Sequence, residues 1–240
     1  MYEYADRQIK EINRRNLHSF DKLKTLKFDD LNVFRYVTTV YEDSIRFCKK
    51  RYRWIAMDAY IIALLLIRDL REKQAREDKA RAEKAAEEEK SAEKRKAKVD
   101  ADGMTKAKAE KLAEKRISEQ WLDDMLNEAD PVTMYRFDSE AERKKSRLVE
   151  ALIAAHNKAK EIDKALRLWT LQTAHYADKS VDTATLAAYM DAGVEKVEWV
   201  TMDDIKVCPE CEARDGKIYP IDKVPPKPHI RCRCELHPVV

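Results

Sequence analysis

Glycine and proline are scarce in this chain, with Gly 3 and Pro 7 among 240 residues, where an average protein has about 7% glycine. Sandwiches and barrels need frequent turns, and turns draw on these residues. The shortage therefore favours long helices over an all-β fold. It also leaves no glycine-rich phosphate loop, and no GxSxG or HExxH motif occurs. A non-enzymatic protein is expected. Charge of one sign is missing too: Lys+Arg 48 stands against Asp+Glu 45, a net +3, so net charge alone does not point to nucleic acid.

Long apolar runs are absent as well. The strongest is "WIAMDAYIIALLLI" at 54–67, which contains Asp58 and falls short of the roughly 20 residues that span a bilayer. A buried helix is expected there, and no membrane contact. "MYEYADRQIKEINRRNLHSF" lacks the apolar core of a signal peptide, so no targeting segment is expected. Cysteines number 5. Cys48 reads as a small buried apolar residue. The other four fall after residue 207, and a chain this long does not need disulfide staples.

What the chain has in excess is charge, 39% of residues against about 25% on average. Four regions are expected. Residues 1–70 carry Leu31, Val33, Phe34, Val37 and Tyr41 in one helical stripe, then Ile45, Phe47, Cys48 and Tyr52, and read as two or three helices. "YIIALLLI" is apolar nearly all round and should be buried on more than one side. Residues 71–120 are mostly Ala, Glu, Lys and Arg, strong helix formers. Glu72 with Arg76 and Glu77 with Arg81 are i,i+4 pairs in the favourable orientation. Without a sustained apolar seam, this region reads as a solvated helical or partly disordered arm, broken at Gly103 in "KVDADGM". A helix laid along DNA or a partner is the functional alternative.

Residues 121–193 form a third, helical region. Ile117, Trp121, Leu122, Met125 and Leu126 make a stripe leading into it, and Pro131 ends that stripe. Ser139 and Glu142 match a capping box. A long amphipathic helix should follow, with Leu148, Leu152, Ala155, Ala159, Ile162, Leu166 and Trp169 facing a core. His156 and His175 read as helix residues, not ligands. A shorter helix is expected from about Asp182 to Asp191, ended by Gly193 in a left-handed conformation. In residues 194–240 the period changes. "VEKVEWVT" alternates, with Val197 and Trp199 on one face, and "KIYPI" is a second strand candidate. The fold class is therefore mainly α, with long helices and a small C-terminal zinc-bound, partly β module. A unit of that size needs a staple.

The staple is legible in "CPEC" and "HIRCRC". Cys208 and Cys211 are spaced to bind one ion from a tight turn. His229 and Cys232 repeat that spacing, giving a Cys3His set suited to structural zinc. On a strand Cys232 and Cys234 share a face, so Cys234 is the alternative ligand, with His237 a weaker candidate. Unligated cysteines or a disulfide are the plain alternative. More ligands than coordination positions argue for a closed, structural site, because a catalytic zinc keeps one position open.

The string "VEWVTMDDIKVCPECEARDGKIYPIDKVPPKPHIRCRCELHPV" resembles the C-terminal module of tailed-phage minor head proteins, the Mu F-like head-morphogenesis family. The likeness rests on Trp199, Thr201, Asp204, Cys208 and Cys211, then Gly216, Ile218 and Tyr219, then His229, Cys232, Arg233 and Cys234. It covers about residues 185–240. Ile230 and Arg231 stand where the family usually carries Pro-Asn. The resemblance implies a virion component present in few copies, assembled in the host cytoplasm. Its partners would be the portal, the major capsid protein or both, and its role head assembly, DNA packaging or delivery. In that setting the charged arm would contact packaged DNA, and self-association is also expected. The competing reading is a zinc-stapled nucleic-acid-binding module using Lys206, Lys217, Lys227, Arg231 and Arg233, although that end lacks the aromatic residues that stack on single strands.

Overall fold

The computed structural model describes residues 2–26, 32–82, 101, 103–154, 157–202, 204–230 and 232–240. Leu31, Ala155, His156, Arg231 and the middle of the charged segment, 83–100, lie outside them, as does the side chain of Arg81. The described residues form α1 (Tyr2–Lys24), α2 (Val33–Ala82), α3 (Lys106–Arg116), α4 (Glu119–Asn127), α5 (Phe137–Ala154), α6 (Lys158–Asp191) and α7 (Pro209–Glu212). They also form β1 (Lys196–Val200), β2 (Ile218–Pro220) and β3 (Glu235–Val239). The mainly helical expectation is met. Among the described residues no helix is long and apolar enough to cross a membrane. The chain divides into two compact units, one built mainly from Met1–Ala56 and Ile117–Val181, the other from Met57–Arg116, Asp182–Pro228 and Cys232–Val240.

The first unit is organised by aromatic residues. Trp169, on α6, is fully buried. Its ring lies 5.1 Å from Tyr41 and 5.9 Å from Phe137, and Phe137 meets Tyr52 and Tyr176 edge-on at 5.6 and 4.9 Å. The buried Ser44 hydroxyl accepts from Trp169 Nε1 at 2.7 Å and donates to Asn16 Oδ1, joining α2 to α6 and α1. Ser118 caps α4 by accepting from the Trp121 N–H at 3.1 Å. Cys48 is buried, as its sequence context suggests, and burial pushes its thiol up to about 12.

Two helix boundaries differ from expectation. α5 starts at Phe137, so Ser139 lies inside the helix and not at its cap. The buried Phe137 ring draws the start forward, and the turn before it is built by Asp130 instead. Asp130 Oδ1 accepts from the Val132 and Thr133 N–H groups at 3.0 and 2.9 Å, and Met134 then takes a left-handed φ of 62°. The expected long helix is also interrupted, because Asn157 stands outside both α5 and α6. Asn157 Oδ1 accepts from the Lys160 N–H at 3.1 Å and starts α6. α6 then continues unbroken through the stretch read as a separate short helix.

Asp130 is buried and faces His175 Nε2 at 3.0 Å and Lys179 Nζ at 3.9 Å. Burial alone would raise its pKa. The His175 contact, the Thr133 N–H and the Lys179 charge outweigh burial and hold the carboxyl at about 2. Because the folded pKa lies below the ordinary 3.8, this stabilisation is present above about pH 4 and is lost as pH falls towards 2. Asp130→Asn is expected to cost about 2 kcal/mol at pH 7. In urea melts the gap between variant and parent should close by pH 2; an equal gap at both pH values would refute this account.

In the second unit Ala59, Tyr60, Ala63, Leu64 and Ile67 of α2 are buried, while Ile61, Ile62, Leu65 and Leu66 are half-buried. The apolar run is thus covered on more than one side, as its composition requires. The charged segment is not wholly solvated. Ala101, Met104, Ala109 and Ala113 are buried, and Arg68 Nη1 donates to the Met104 carbonyl at 2.6 Å. Gly103 turns the backbone at φ 66°.

The C-terminus of α6 hands the chain to the sheet. Val194 N–H bonds to Tyr189 O and Gly193 N–H to Met190 O, with Gly193 at φ 75°, the bond pattern of a Schellman cap. Arg71 donates to the Ala192 carbonyl, and Arg116 and Tyr60 bond to Asp191 at 2.9 and 2.8 Å. Gly193→Ala is expected to cost about 1–2 kcal/mol, the penalty of a Cβ in the left-handed region. An unchanged melting midpoint would count against the cap as the element that sets the entry into β1.

Candidate metal centre

The sheet has strand order β2-β1-β3, all antiparallel. Val197 and Trp199 on β1 are buried, as their alternation suggests. β3 was not foreseen, because Pro238 lies in it. It is an edge strand, where a residue lacking an N–H is tolerated. Leu236 and Pro238 are buried and His237 exposed. His237 bonds Glu235 at 3.1 Å and belongs to neither ligand group described below.

Alternation running back from β3 puts Cys234 and Cys232 on the buried face with Leu236. Opposite them, Cys208 starts α7. Its Sγ accepts from the Cys211 N–H at 3.4 Å, and Pro209 opens the turn. Cys211 Sγ lies 3.5 Å from Cys232 Sγ. The ligand atoms of Cys211, Cys232 and Cys234 all lie within 4.8 Å of one another, and so do those of Cys208, Cys211 and His229. His229 Nδ1 sits 3.1 Å from the Ile230 carbonyl. No disulfide forms among the five cysteines.

This cluster could hold a metal ion. Tetrahedral zinc with Zn–S near 2.3 Å separates its sulfurs by about 3.8 Å, close to the spacing seen. Burial first, and then the thiols of Cys208, Cys234 and Cys232, push Cys211 above the ordinary thiol range. Burial also raises Cys232, against the pull of the Lys227 charge. Bare thiolates are disfavoured in such a place, and a bound dication would supply the countercharge. The sequence-proposed ligands fall into two close groups that share Cys211, with Cys208 and His229 in one and Cys232, beside Cys234, in the other.

Sequence reasoning missed the supports around the cluster. Arg233 makes a two-pronged pair with Asp204, 2.7 Å on each arm, and holds the Asp204 carboxyl down at about 2. Lys227 Nζ bonds Asp182 at 2.9 Å and the Cys232 carbonyl at 3.3 Å. The Arg214 guanidinium lies 5.1 Å over Trp199 and donates to the Pro226 carbonyl. The Arg233–Asp204 and Lys227–Asp182 partners lie 29 and 45 residues apart, so no local pattern signals them. Two cations assigned to nucleic acid in the competing reading, Lys227 and Arg233, are thus engaged within the module.

Residues 136–237 match the family described as phage Mu protein F like protein. The similarity is confined to the C-terminal part of the chain, and it extends further upstream than the string around the cysteines suggested. No curated protein and no solved structure matches the chain.

Proposed function

We propose that the chain is a structural minor head protein of a tailed phage, without catalytic activity, resident in the virion near the portal or the inner capsid surface. It acts in head assembly, DNA packaging or delivery, with portal and major capsid subunits as partners. The observation that carries this reading is the family match over 136–237 on a module with five clustered ligands. A zinc ion held by Cys208, Cys211, Cys232 and either His229 or Cys234 would use every coordination position. It would stiffen the sheet as a docking unit and leave no open position for chemistry.

Two measurements test it. Metal analysis of purified chain should find about one zinc per molecule. Affinity purification of the tagged chain from phage-infected cells should retain portal subunits, and purified virions should contain it. Virions lacking the chain, or a metal-free protein with an intact sheet, would overturn the respective half of the reading.

A further inference from the structure

A second candidate site lies in the first unit, outside the matched segment. On α1, Arg14, Arg15 and His18 border an open pocket of about 490 Å3, and Phe47 and Arg51 of α2 border it from the other helix, with Glu11 at its edge. Its fixed charges are three guanidiniums against one carboxylate. Glu11 pairs with Arg14 at 2.7 Å, yet the Arg14 side chain remains 78% exposed.

Aromatic rings alternate with these cations. The Arg51 guanidinium lies 4.9 Å from both the Phe47 and Trp54 ring centres, Lys50 Nζ lies 5.2 Å from Trp54, and Arg15 lies 6.0 Å from Phe47. Trp54 is 40% exposed, whereas Trp169 and Trp199 are buried, and it borders the adjoining pocket with Lys50, Arg53, Glu119 and Asp123, linked to the first pocket through its contact with Arg51. Guanidiniums suit phosphate oxygens, which they can bind with two parallel bonds. Cationic grooves interleaved with aromatic faces suit single strands, whose bases are free to stack. A carboxylate-rich peptide would use the arginines but not the indole, and a duplex keeps its bases away from it.

We propose that this pocket and the adjoining Trp54 face together bind a single-stranded nucleic acid without sequence preference, with phosphates on Arg14, Arg15 and Arg51 and a base stacked on Trp54. The proposal depends on neither the metal centre nor the head-protein reading.

The test is fluorescence anisotropy of the full chain with labelled oligo-dT, a duplex of equal length and polyglutamate. With three phosphate contacts, log affinity for oligo-dT should fall with log salt at a slope of about −2. Arg14→Glu with Arg15→Glu changes only exposed positions, so circular dichroism and melting should stay unchanged. Affinity should drop about 20-fold at 0.1 M salt, with the slope falling to about −0.7. Trp54→Ala should weaken oligo-dT by about 5- to 150-fold and the duplex far less. The proposal is overturned by no binding, by salt-independent binding or by a double variant that binds as the parent does. It is equally overturned if polyglutamate binds as well as oligo-dT, or if the duplex binds as tightly with Trp54→Ala silent.

Discussion

Cys211→Ser is expected to abolish zinc binding and unfold the sheet around β1, with a larger effect than replacement of any other single ligand. Cys211 is the residue common to both groups of close ligand atoms. It is buried, 3.5 Å from Cys232, and its N–H faces the Cys208 sulfur. Losing Cys208 or His229 leaves Cys211, Cys232 and Cys234 together, and losing Cys232 or Cys234 leaves Cys208, Cys211 and His229. Losing Cys211 breaks both groups. The sheet has strands of only 5, 3 and 5 residues, and its apolar core is small, chiefly Val197, Trp199, Ile221 and Leu236. Such a unit does not hold itself together without a staple. Structural zinc binding is worth about 10–16 kcal/mol in small domains, as much as the whole stability of a typical domain. Zinc per chain and the near-ultraviolet signal of Trp199 should fall together, while the far-ultraviolet helix signal persists. Full zinc content in the variant would refute the centre. His229→Ala and Cys234→Ser, measured side by side, then decide between a Cys3His and a four-cysteine set, since only the true ligand's loss lowers affinity.

What was legible in the sequence was whatever is decided within a few residues. Val197 and Trp199 alternate because a strand puts every second side chain on one face, and both are buried. Gly193 is needed where φ is 75°. The paired cysteines announce themselves by spacing. What was missed depends on groups far apart in the chain. The break between α5 and α6 has no glycine or proline, only the Asn157 cap. α5 starts early because Phe137 enters an aromatic cluster whose other members come from α2 and α6. β3 is concealed by Pro238, which is acceptable only because the strand is at an edge. Both Cys232 and Cys234 reach the cluster, so spacing could not choose between them. The Asp130–His175 pair joins residues separated by all of α5 and half of α6, and no motif length could reveal it.

Trp169→Ala should be the most damaging substitution in the first unit, at about 3–5 kcal/mol. Trp169 was expected to face a core, and the structure shows what that position carries. The indole fills the space between Tyr41 and Phe137, and its N–H bonds to the buried Ser44 hydroxyl. Truncation would leave a cavity bordered by rings too rigid to collapse into it, and would strip Ser44 of its donor while the bond to Asn16 remains. Trp169→Phe separates the two contributions. It keeps most of the packing but loses the N–H, and should cost about 1–2 kcal/mol. Ser44→Ala removes the same bond from the other side, so combining it with Trp169→Phe should add little further loss. The measurement is urea unfolding followed by helix circular dichroism, with zinc retention checked in parallel. Retained zinc with a lowered midpoint would assign the damage to the helical core. A loss below about 1 kcal/mol for Trp169→Ala, the range of ordinary surface changes, would show that the aromatic cluster does not hold α1, α2 and α6 together.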